Sequence, residues 1–105
     1  MKKGCFVVIF SNKIKDAQDP FYRQLSESLR ALALSQEGYV GLESYRNPDG
    51  TGTTISYWDS KEAILNWKKQ SEHLVAQQYG KEKAYEYYSV QVCQVERSYT
   101  HSSHS

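Results

Sequence analysis

The sequence predicts an α+β domain, a ferredoxin-like β-α-β-β-α-β plait whose four strands form one antiparallel sheet. Strand-like runs of β-branched and aromatic residues alternate with two stretches whose apolar residues recur at helical spacing. A proline- and glycine-containing turn joins the middle two strands with no helix between them. A chain of 105 residues has room for one such domain.

The first strand is Cys5-Phe6-Val7-Val8-Ile9-Phe10, apolar at odd and even positions alike, which marks a central strand covered on both faces. A polar loop from Ser11-Asn12-Lys13 to Asp16 leads to Asp19-Pro20, a capping side chain followed by a first-turn proline, which opens the first helix. Phe21, Leu25, Leu29 and Leu32 give that helix an apolar stripe, and Glu37-Gly38 ends it. A strand from Tyr39 to Arg46, the turn Asn47-Pro48-Asp49-Gly50, and the run Thr53-Thr54-Ile55-Ser56-Tyr57-Trp58 form a hairpin.

Asp59, with Glu62 three residues on, is a capping arrangement for a second helix starting at about Ser60. Ala63, Ile64, Trp67, Ser71 and Leu74 line one side of it; a bend is expected near Gln70-Ser71 and an end by Tyr79-Gly80. The last strand, expected from Tyr85 to Arg97, sends Tyr88, Val90 and Val92 to one face and Tyr87, Cys93 and Val95 to the other. The domain is expected to occupy residues 1–99, with a frayed serine- and histidine-rich tail over 100–105.

In such a plait, right-handed crossovers put both helices on one face of the sheet. Strands one and four nevertheless carry apolar side chains on both faces, so a single chain would leave an oily surface bare. A homodimer joined sheet to sheet is the expected cover.

The charge balance excludes other partners. With 13 basic and 12 acidic residues, a net charge of +1 gives no footprint for nucleic acid or an anionic membrane, so a small molecule is the expected ligand. No apolar stretch approaches bilayer length, and Met1-Lys2-Lys3 runs into Gly4-Cys5-Phe6 without a cleavage pattern, so a cytoplasmic location is expected. Cys5 and Cys93, in apolar surroundings, read as buried reduced thiols. His101 and His104 lack a third ligand, so no metal is expected.

Ile55-Ser56-Tyr57-Trp58, Ser60-Lys61-Glu62-Ala63-Ile64, Trp67-Lys68, His73, Ala76-Gln77, Gly80, Tyr85, Tyr88 and Val95-Glu96-Arg97 together resemble the antibiotic biosynthesis monooxygenase domain. The resemblance spans nearly the whole chain and is strongest from Ile55 to Arg97. It implies a dimeric α+β barrel with a pocket in each subunit between helices and sheet. Relatives include cofactor-independent oxygenases that turn polycyclic phenols or anthrones into quinones, enzymes acting on simple quinols, and haem-degrading proteins. The resemblance thus implies a cofactor-free monooxygenase acting on a small planar aromatic or quinol. The alternatives are a non-catalytic dimeric ligand-binding or stress-related protein, and a haem-binding or haem-degrading one.

Trp67 lies on the apolar stripe of the second helix and would fill the interface there. The resemblance implies more, a flat wall that positions a planar substrate, which suits a reaction in which geometry largely sets the rate. His73 is the natural general base, standing where quinone-forming relatives carry a tyrosine. Gln77 stands where haem-degrading relatives carry the iron-ligating histidine, and glutamine is a poor haem ligand. Tyr57, Tyr85 and Tyr88 are candidates to bind a phenolic or quinone oxygen, against a plain packing role. Strict alternation puts Tyr85 on the face of Tyr87 and away from Tyr88. The Asn-Tyr pair that quinone-forming relatives carry one turn before the tryptophan is replaced by Ala63 and Ile64, which favours the non-catalytic alternative. Asn66 points away from the stripe, and Glu96-Arg97 reads as an edge ion pair.

Overall fold

The structure, a computed structural model, describes residues 5–16, 18–78 and 84–103. The elements are β1 (Phe6–Ile14), α1 (Pro20–Leu34), β2 (Tyr39–Arg46), β3 (Thr51–Trp58), α2 (Lys61–Gln78) and β4 (Tyr85–Gln94). All neighbours pair antiparallel in the order β2-β3-β1-β4, so the first and third strands are central, as a split β-α-β plait requires.

β1 is longer than its apolar run. Ser11, Asn12 and Lys13, expected in a loop, pair with Thr53, Gly52 and Thr51 on one side and with Ser89, Tyr88 and Tyr87 on the other. A central strand satisfies its backbone groups on both edges, and that pairing overrides polar side chains that would otherwise favour a loop. β4 ends at Gln94 rather than Arg97, with one further bond from the Val95 N–H to the Cys5 carbonyl at 2.8 Å.

α1 opens as its sequence dictates. Asp19 Oδ1 accepts from the Phe21 N–H at 2.9 Å, and Pro20 occupies the first turn, where its missing N–H costs nothing. The helix stops at the Ser35 cap, whose hydroxyl donates to the Leu32 carbonyl at 2.7 Å; Gly38, at φ +90°, then turns the chain into β2. Leu25 and Ala33 are buried and Leu29 and Leu32 half-buried, but Phe21 is 68% exposed. The buried stripe centres toward Ala33, so Phe21 lies beyond its opposite edge in the first turn.

α2 is capped by Ser60, not Asp59: Ser60 Oγ accepts from the Ala63 N–H at 3.1 Å. It runs without interruption past Gln70-Ser71, where a bend was expected, and Ser71 Oγ donates back to the Lys68 carbonyl at 3.0 Å. Its expected end at Tyr79-Gly80 lies outside the described residues.

Strand alternation sorts the side chains. Val8 of β1 and Trp58 of β3 face the helices and form one core with Ala33 of α1 and Ala63 and Ile64 of α2. Both helices therefore lie on one side of the sheet. On the open side, Val7, Ile9, Ile55 and Tyr57 are half-buried at one end, and Ser11, Lys13, Thr51 and Thr53 make the other end polar. Cys5 is buried, but Cys93, expected to be buried, is exposed on that open side opposite Val7.

Trp58 is fully buried at the centre of this core. Trp58→Ala is expected to lower the unfolding free energy by about 3–5 kcal/mol in urea melts, the usual range for emptying a buried aromatic site. A loss under about 1 kcal/mol would mean that the core does not centre on this ring.

Candidate functional site

Two aromatic clusters sit on the helix-facing side of the sheet, near its opposite ends. Trp58 anchors the first. Its indole N–H donates to Ser56 Oγ at 2.9 Å, Tyr39 meets it edge-on at 5.8 Å between centroids, and Trp67 of α2 lies tilted against it at 5.2 Å. Trp67 is half-buried, and its Nε1–H is buried with no partner among the described residues. A buried, unmet donor costs on the order of 1–3 kcal/mol, so it marks a place where a ligand acceptor has something to gain.

The second cluster gathers around Phe10. Tyr85 meets it edge-on at 5.5 Å between centroids and Tyr88 lies tilted to it at 5.7 Å; Tyr85 is also 5.8 Å from Tyr88 and 6.0 Å from Tyr22 of α1. Strict alternation had separated Tyr85 from Tyr88. A register shift between Lys13 and Ile14 pairs Tyr85 with Ile14, and the extra residue carries Tyr85 to the helix-facing side. Burial is the main cause holding the Tyr85 phenol protonated far above the ordinary tyrosine range, with the neighbouring Tyr22 hydroxyl adding to it.

Polar groups close that end. Arg46, the last residue of β2, donates through Nη1 to Asn12 Oδ1 at 2.6 Å and to the Gly50 carbonyl at 2.8 Å, and through Nη2 to the Tyr22 hydroxyl at 3.3 Å. The guanidinium lies across Gly52. A Cβ at that glycine would stand 2.5 Å from the Tyr45 carbonyl oxygen as well as 2.8 Å from Cζ and Nη1 of Arg46, and it is the backbone contact that reserves the position for glycine. Asn12 is 2% exposed, and its Nδ2 has no partner among the described residues.

Between the clusters, Tyr88, Val90 and Val92 step along β4 from the row of Asn12 to the row of Val8 and are 42%, 49% and 53% exposed. This apolar strip lies on the side of the sheet that the helices otherwise cover.

Of the candidate residues that the sequence suggests, Trp67, Tyr85 and Tyr88 come to this side. Tyr57 does not: it faces the open side, where its hydroxyl donates to Glu43 Oε1 at 2.9 Å while Tyr45 donates to Glu43 Oε2 at 2.9 Å. Both bonds raise the tyrosine pKa values. His73 and Gln77 are exposed on α2, off the stripe of Ala63, Ile64, Trp67, Ser71 and Leu74, and are not brought to the tryptophans. Asn12, Arg46 and Tyr22 were missed. The one available signal was the glycine at position 52, six residues after Arg46, which reads as a close approach only once the strand is known. Among the described residues no cluster of His, Cys, Asp or Glu could hold a metal ion, and no helix is long and apolar enough to cross a membrane.

The model of the antibiotic biosynthesis monooxygenase family matches residues 5–79. The chain belongs to the antibiotic biosynthesis monooxygenase family. It is 42% identical over 92 residues to the uncharacterized protein YqjZ of Bacillus subtilis, a match spanning 88% of this chain and 80% of the relative. It is 26% identical over 95 residues to the jasmonate monooxygenase ABM of Pyricularia oryzae, covering 89% of this chain but 44% of that protein. In fold it resembles SnoaB, a cofactor-independent oxygenase from Streptomyces nogalater, with a TM-score of 0.73 at 11% identity over 90% of this chain and 96% of that one. A conserved protein from Methanosarcina mazei gives a TM-score of 0.71 at 13% identity, over 86% and 91% of the two chains. Identities this low speak to the fold alone.

The buried phenol gives this family member a defined alkaline response. Because the folded state keeps Tyr85 protonated above the ordinary value of 10.0, the contribution is fully present below that pH and is lost as the pH rises toward the folded value. Urea melts between about pH 9 and about pH 11 should show stability falling, with a shallower fall in Tyr85→Phe. Identical slopes in the two proteins would mean Tyr85 is not the protected group.

Proposed function

We propose that this member of the family is a cofactor-independent monooxygenase acting on a planar aromatic or quinol substrate held in the trough between α2 and β4. The observation that carries the reading is the uncovered strip of Tyr88, Val90 and Val92 joining two aromatic clusters on the helix-facing side of the sheet. An electron-rich planar ring lies flat against such a strip, with Trp67 as the wall at one end and Tyr85 and Tyr88 at the other. In the reaction type proposed, a ring CH2 and O2 give a ring carbonyl and water. The electrons come from the substrate's own carbanion or phenolate, so the protein's part is to fix the ring and exclude water.

His73 takes no part in this reading, because its place on the exposed side of α2 keeps it from the trough. With an anthrone as substrate, oxygen uptake should fall about tenfold or more in Trp67→Phe and stay within about twofold of wild type in His73→Ala. The reverse pattern would move the site to the outer side of α2.

A specific observation favours a second reading. Ala63 and Ile64, standing where quinone-forming relatives carry a polar pair, are buried in the core and offer a substrate nothing to bond. A planar ligand that raises the melting temperature without oxygen uptake would select the non-catalytic binding protein. The residues do not fit haem: Gln77 is exposed, and its amide is a poor ligand for iron.

We also propose a homodimer joined through the open side, where Val7, Ile9 and Ile55 meet their counterparts in a second copy. The two unpaired cysteines fit a reducing compartment such as the cytoplasm. Light scattering should give twice the chain mass for the wild type and the chain mass for Ile9→Asp; a wild-type monomer at micromolar concentration would refute the dimer.

A further inference from the structure

We propose that Arg46 and Asn12 form an anion-binding head to this trough, taking the carboxylate of a planar aromatic acid whose rings lie along Tyr88, Val90 and Val92 toward Trp67. The inference rests on reading the trough as the substrate site and adds the substrate's charged end.

Donor accounting points to it. A guanidinium carries five N–H donors. Nη1 spends two on Asn12 Oδ1 and the Gly50 carbonyl, and Nη2 spends one on the Tyr22 hydroxyl. Among the described residues the Nε–H and one Nη2–H have no acceptor, and these two nitrogens form the edge that meets both oxygens of a carboxylate. Among the described residues no carboxylate pairs with Arg46, the ion pairs there being Lys13–Glu86 and Lys68–Glu72.

The group is also held in place. Gly52 leaves it a seat, the Gly50 carbonyl and Asn12 Oδ1 fix one edge, and the Tyr22 ring lies 5.9 Å from Cζ. A fixed guanidinium loses little freedom on binding, which favours a specific anion over a passing one. Asn12 supplies the second, independent sign. Its Oδ1 is committed to Arg46, and its Nδ2 is a buried donor without a partner among the described residues. Its register partner on β4 is Tyr88, where the apolar strip begins.

Length limits the ligand. Six residues of β1 separate the row of Asn12 from the row of Phe6, about 20 Å of strand, so a ligand reaching from Arg46 toward Trp67 must be elongated. A linear three-ring acid anchored at Arg46 covers about half of that run, along Tyr88 and Val90, and a single-ring acid only its start.

The test is a fluorescence titration of the full chain with anthracene-2-carboxylate and its neutral isostere anthracene-2-carboxamide, each variant first checked for a native circular dichroism spectrum. Wild type should bind the carboxylate about tenfold more tightly than the amide. Arg46→Gln should abolish that preference, Arg46→Lys should keep part of it, and Val90→Ser should weaken both ligands alike. A preference absent from wild type, or one that survives Arg46→Gln, overturns the anion head even where Val90→Ser still weakens both ligands and so leaves the trough standing. If the preference depends on Arg46 while Val90→Ser changes neither affinity, the head stands and the apolar strip falls.

Discussion

The structure depends on the seating of two helices against one side of the sheet through Val8 and Trp58 on its central strands. Strand alternation makes this a division of the whole chain: every residue in register with Val8 or Trp58 goes beneath the helices, and every neighbour goes to the open side. The trough, the two aromatic clusters and the bare surface opposite all follow from it. A one-residue slip of β3 would exchange Trp58 for Tyr57 and reverse each of them.

The helix-facing side is not uniform. Near Trp58 it is closed by small and branched side chains of α1 and α2, Ala33, Ala63 and Ile64, which let the backbones come close. Along β4 the helices leave Tyr88, Val90 and Val92 partly uncovered, and toward the start of that strand the neighbouring side chains turn aromatic and polar. An open apolar strip with unmet donors near its ends is unfavourable until something covers it.

Glycine sets the polar end. Gly50, at φ +94°, closes the hairpin and presents a carbonyl that accepts from both Ile14 and Arg46, and Gly52 keeps the strand bare where the guanidinium crosses it. Arg46 is thus held by hydrogen bonds to β1, to the hairpin turn and to α1. This is a substantial constraint for a residue at the exposed end of a strand.

Much of the fold was legible in the sequence because local chemistry decides it. The Asp19 cap with Pro20, the reversal at Gly38, the span of β2, the turn before Gly50 and the stripe of α2 each depend on residues a few positions apart. By itself the sequence determined the order of elements, the family, and Trp67 on the buried side of α2, since periodicity and short motifs carry these. Tertiary structure decided the rest. It extended β1 through Asn12, moved Tyr85 beside Tyr88 by a register shift, left Phe21 and Cys93 exposed, and joined Asn12 to Arg46 across a separation of 34 residues. Those outcomes depend on which strands become neighbours and in what register, a long-range pairing that no local pattern encodes.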